Sequence, residues 1–81
     1  MDAARWIEAE KDLEKSIETA RAQHARYFEL RAATDLARLW VERGQRKQAH
    51  DLLAPILNWF TEGLDTPDLM AARACLSAIV A

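Results

Sequence analysis

Apolar residues recur at spacings of three and four along most of the chain, and each such run predicts a helix. In the first run, between about residues 3 and 23, Trp6, Ala9, Leu13, Ile17 and Ala20 draw one stripe. Lys11, Asp12, Lys15 and Glu18 cover its other side. The second run, about 27–43, is different. Phe28, Leu30, Ala33, Leu36, Ala37, Leu39, Trp40 and Val41 nearly encircle it, and the polar line is reduced to Arg31, Asp35, Arg38 and Glu42. A helix with so wide an apolar surface must pack on two sides. Gly44 stands just beyond it, where a left-handed residue closes a last turn.

The third run, about 46–62, buries Ala49, Leu52, Leu53, Ile56, Leu57 and Phe60 on one face. Pro55 lies inside it. Proline has no N–H, so the carbonyl of Asp51 loses its partner, at a cost of ~3 kcal/mol in an isolated helix. The periodicity continues unshifted across Pro55, which predicts one kinked helix. Trp59 and Phe60 are expected to anchor its last turn against the fourth helix, and Gly63 to close it. In the fourth, Thr66 is placed as N-cap, Pro67 at the first helical position, and Asp68 at the positive end of the dipole. Its stripe is Leu69, Ala72, Leu76 and Ile79, out to about Val80. Arg73 and Ser77 are nearly all its polar surface.

The segment AQHARY between the first two helices has no Gly, Pro or good cap. Either His24 takes the left-handed conformation and makes a hairpin, or the two helices fuse into a rod of roughly 60 Å. A fused rod would have to exchange partners with a second copy.

Composition narrows the class. The 81 residues suit one domain, residues 1–81, of marginal core size. Gly and Pro number two each, in keeping with an all-α chain. The net charge of −2, without a basic stripe, argues against nucleic acid. A lone cysteine, Cys75, suits a reducing compartment. The first residues lack a signal peptide's apolar core, and no apolar run reaches the ~18 residues of a membrane span. A cytoplasmic protein is expected.

The chain also echoes itself. Ala9, Leu13 and Ile17 match Ala49, Leu53 and Leu57, forty positions on. Leu36, Ala37, Trp40, Gly44, Ala49, Leu53 and Ile56 follow the spacing of a tetratricopeptide repeat, on helices longer than the usual 34-residue unit. More specifically, LRAATDLARLW, LLAPILNWFTEG and LDTPDL, within residues 29–76, resemble the C-terminal repeat region of bacterial predicted ATPases and adenylate-cyclase-like regulators. That resemblance implies antiparallel helical hairpins acting as a protein-interaction or regulatory scaffold. Where this chain has His24, that family usually has Gly. No GxxxxGK[ST] loop is present, so catalysis is not implied.

The chemistry-bearing residues form no reactive constellation. His24 and His50 are read as turn or surface residues, and Cys75 on an apolar helix as an inert thiol. No catalytic residue, metal ligand or cofactor is expected. Trp6, Trp40 and Trp59 are read as packing residues. Arg43, Arg46 and Lys47 make a small basic turn. The line Arg31, Thr34, Asp35, Arg38 and Glu42 matches the groove-lining surface of such repeats and is the candidate site for a protein partner. Alternatively, Arg31–Asp35 and Arg38–Glu42 pair along the helix, each adding a few tenths of a kcal/mol. The last helix is too apolar for a terminal repeat, which predicts a cover: a homodimer burying Leu69, Ala72, Leu76 and Ile79 for a lone chain, or further array in a larger parent protein. The expected function is a self-associating interaction scaffold. The alternative is a small sensor holding an apolar or amphipathic ligand between helices 2, 3 and 4.

Overall fold

The computed structural model describes residues 3–60 and 66–80, which form α1 (Ala3–Ala22), α2 (Arg26–Glu42), α3 (Arg46–Trp59) and α4 (Pro67–Val80). Among the described residues there is no strand. Two left-handed residues set the path of the first three helices. His24 has φ 55° and Gly44 has φ 79°. At the first, His24 N–H donates to Arg21 O at 3.2 Å and Ala25 N–H to Ala20 O at 2.8 Å. At the second, Gly44 N–H donates to Val41 O at 3.0 Å and Gln45 N–H to Trp40 O at 2.7 Å. Both are the paired closure in which a left-handed residue satisfies the helix's last carbonyls. Residues 23–25 and 43–45 are thus the same three-residue connection, one built on His and one on Gly. α1 and α2 form a hairpin, not a rod.

α2 is the centre of the fold. It packs against α1, α3 and α4, and α4 lies against both α2 and α3. This is the arrangement its wide apolar surface demands. Leu30, Leu36, Leu53 and Leu69 are wholly buried, each worth about 1.5–3 kcal/mol of transfer free energy. Ala33, Ala37, Ala49 and Ala72 are also wholly buried. Their small side chains let the helices approach closely. Ile17 and Ala20 are the buried positions of α1's stripe.

Four expectations need correction. α3 crosses Pro55 as one helix, but it ends at Trp59, three residues before Glu62. Phe60 is extended there (φ −85°, ψ 111°), which turns its ring inward to 5.0 Å from Tyr27. Trp59 is 55% exposed and lies 4.5 Å beneath the Arg26 guanidinium. The two rings therefore brace the end of α3 against α2, Phe60 within the core cluster that α4 also enters, and Trp59 is not a core residue. The closing role given to Gly63 lies outside the described residues.

Phe28 is the second correction. It is 65% exposed, because the three helices around α2 leave one side of it open. Third, Thr66 precedes α4 and its carbonyl accepts Met70 N–H at 2.9 Å, but its buried hydroxyl has no partner among the described residues. Among the described residues, what Thr66 gives the cap is its carbonyl, not its side chain. Fourth, Leu69, Ala72 and Ile79 are buried inside this chain, and Leu76 packs partly against the same core. The stripe expected to make a homodimer is instead covered by α2 and α3.

Candidate functional site

The polar line of α2 runs into a crevice of about 90 Å³ between α2 and α4, lined by Arg31, Thr34, Asp35 and Arg38 with Asp68 and Ala71 opposite. It is not an open groove. Thr34 is buried, and its hydroxyl donates to Leu30 O at 2.8 Å. Arg31 reaches across to Asp68, with Nε 3.6 Å from Oδ1. Arg38 lies 3.9 Å from Asp35. Neither expected pair, Arg31–Asp35 or Arg38–Glu42, is among the ion pairs of the described residues: Arg31 turns to Asp68 on α4, and Arg38 to Asp35. The exposed pair Arg38–Asp35 adds little stability. Glu42 is exposed at the end of the line, away from the crevice.

A wider opening adjoins the crevice, with Arg31 and Asp35 shared between the two. α1 and α2 diverge there around a groove of about 740 Å³. α1 supplies Asp12, Leu13, Lys15, Ser16 and Thr19, and α2 supplies Phe28, Arg31, Ala32 and Asp35. Apolar residues line the floor and both charge signs lie on the rim. Phe28 stands in this groove as its largest side chain. Its exposure had no signal in the helical periodicity, which marks only how wide an apolar surface is, not how much of it neighbours cover.

Two polar clamps hold α1 on α2 and fix the groove's geometry. At one end Trp40 Nε1–H donates to Glu10 Oε1 at 2.6 Å, and the Arg43 guanidinium lies 3.9 Å from Glu10 Oε2 and 5.7 Å from the Trp6 ring. At the other end the buried Glu29 carboxylate receives Arg21 Nε–H at 2.8 Å and lies 3.6 Å from Arg26. A buried carboxylate persists only when partnered in this way. Sequence reasoning missed Glu10, Arg21, Arg26 and Glu29, since each pair depends on how the hairpin registers.

Cys75 lies partly buried on α4. Burial pushes its thiol above the ordinary range, and the Arg38 guanidinium opposes that shift. A thiol held protonated is a poor nucleophile. His50 sits 3.7 Å from Asp51 on the surface of α3. Among the described residues no three His, Cys, Asp or Glu side chains gather as a metal set, and no helix is long and apolar enough to cross a membrane. No family model, curated protein or solved structure matches this chain.

Proposed function

We propose that this chain is a non-catalytic, tetratricopeptide-like helical scaffold that acts by protein–protein contact. The observation that carries the reading is the open α1/α2 groove, with Phe28 65% exposed within it. A large apolar side chain in an open groove with a polar rim is the surface a partner's helix fits. The resemblance of residues 29–76 to the repeat region of bacterial ATPase and cyclase-like regulators points the same way. The space between α2, α3 and α4 is filled by Leu30, Ala33, Leu36, Ala37, Leu53 and Leu69, which favours a scaffold over a small sensor holding an apolar ligand there.

A photoreactive phenylalanine at position 28 tests the reading. The expected result is a discrete protein adduct, with this chain or another, on irradiation in cells. Finding no protein adduct would overturn it. Fatty acids should leave the emission of Trp40 and Trp59 unchanged; a saturable one-to-one response would favour the sensor.

A further inference from the structure

The chain repeats itself more closely than the echo between α1 and α3. Glu29-Leu30-Arg31-Ala32-Ala33 on α2 and Asp68-Leu69-Met70-Ala71-Ala72 on α4 stand thirty-nine positions apart, in the order acid, Leu, variable, Ala, Ala. The fold respects the match. Leu30 and Leu69 are both wholly buried, and so are Ala33 and Ala72. α2 and α4 are thus alike both in this stretch of sequence and in which of its residues they bury.

This internal repeat shows how one such helix holds the next. α2 faces α4 across the crevice with Arg31, Thr34, Asp35 and Arg38. The same face of α4, thirty-nine positions on, is Met70, Arg73, Ala74 and Ser77. All four are exposed, Met70 by 58%. α4 therefore turns outward the face with which α2 holds α4. On the receiving side the apolar half of the contact recurs, while Asp68 has its image in Glu29, which is buried and held by Arg21 instead of lining the groove. Ala71, which lines the crevice from α4, has its image in Ala32, and Ala32 lines the open α1/α2 groove beside Phe28.

We propose that the outer face of α4 docks into the α1/α2 groove of a second copy of this chain, head to tail, repeating between molecules the packing of α4 on α2. This rests on the scaffold reading and names its partner. The charges agree. Arg73 is the one charge on the docking face, and Asp12 and Asp35 lie on the groove rim. The rim also carries Lys15 and Arg31; Arg31 lies 3.6 Å from Asp68 and Asp35 lies 3.9 Å from Arg38, so Asp12 is the rim acid left to meet Arg73. A head-to-tail contact uses two different surfaces, so it does not close on itself as a two-fold contact does.

Sedimentation velocity of the full chain, from low micromolar to millimolar, tests the proposal. The expected result is a concentration-dependent series of species. Phe28→Asp blocks the groove and Ala74→Arg blocks the α4 face. Each alone should raise the dissociation constant by about tenfold or more, as for a central interface side chain. Mixed one to one, the two variants should form a dimer and stop there, because one intact groove meets one intact α4 face. Circular dichroism checks that both remain helical; if either does not, Asp12→Lys or Arg73→Glu replaces it. A wild-type chain monomeric at millimolar concentration overturns the proposal. So does an oligomer that the mixed variants fail to restore, which would mean a two-fold contact. A monomer that still gives an adduct with another protein at position 28 would remove this proposal and leave the scaffold reading standing.

Discussion

The indole N–H of Trp40 donates to the Glu10 carboxylate at 2.6 Å, joining α1 to the last turns of α2 across thirty positions of sequence. The contact closes one end of the hairpin, and the second Glu10 oxygen faces Arg43. Hydrogen bonds to charged groups contribute about 1.5–3 kcal/mol, and partial exposure of Glu10 places this one at the low end. Trp40→Phe keeps an aromatic ring but removes the donor and part of the packing, so it should cost at least about 1–2 kcal/mol in urea unfolding. A cycle with Glu10→Ala should return a coupling of about 1 kcal/mol. Simple additivity of the two losses would show that the bond contributes nothing to stability.

His24 and Gly44 occupy equivalent left-handed positions, and exchange at each should move stability in opposite directions. A left-handed conformation costs an L-residue roughly 1–2 kcal/mol, and His24 already bears it. Nothing lies within 4 Å of a Cβ built on Gly44, so Gly44→Ala meets no clash and its loss, about 1 kcal/mol, is purely a backbone effect. His24→Gly should stabilise the hairpin by up to about 1 kcal/mol, less the extra freedom Gly gives the unfolded chain. Urea midpoints moving in the same direction for both variants would contradict this account.

The periodicity makes the four helices legible because burial at three- and four-residue spacing is a local property. It also shows that α2 is central, since only a helix with neighbours on several sides needs apolar residues from Leu30 round to Trp40. The left-handed role of His24 is legible from what the turn lacks. What the pattern does not carry is which neighbour covers which face. It marks Leu69, Ala72 and Ile79 as needing cover, and both a second copy and the chain's own α2 and α3 satisfy that need equally on paper. Glu10 with Trp40, and Glu29 with Arg21, are invisible for the same reason. Their partners are chosen by hairpin register, which no single helix encodes.

Adjacent residues on α4 separate the core from the outer face. Leu69 is wholly buried and Met70 is 58% exposed. Leu69→Ala should destabilise the chain by about 2–5 kcal/mol, the usual loss for a buried Leu, at every protein concentration. Met70→Ala should leave the stability of the single chain within about 0.5 kcal/mol, as for most surface changes. Thermal melts of both variants at two concentrations check this. A Leu69→Ala penalty that vanished on dilution would return Leu69 to an intermolecular contact.

Cys75 gives a prediction about pH. Burial raises its thiol pKa in the folded chain, while the Arg38 guanidinium pulls the other way. The folded state therefore holds the proton more tightly than the unfolded one. Stability from this group is fully present below the unfolded thiol pKa. It is lost progressively as pH rises from there through the higher folded value, because the unfolded chain releases its proton first. Two measurements follow. Iodoacetamide should modify Cys75 more slowly in the native chain than in urea at pH 8, since the thiolate is the reacting species. Arg38→Gln removes the opposing cation and should slow the native reaction further. Native alkylation as fast as in urea, or faster in the variant, would mean that the thiol is not held protonated by its burial against α2 and α3.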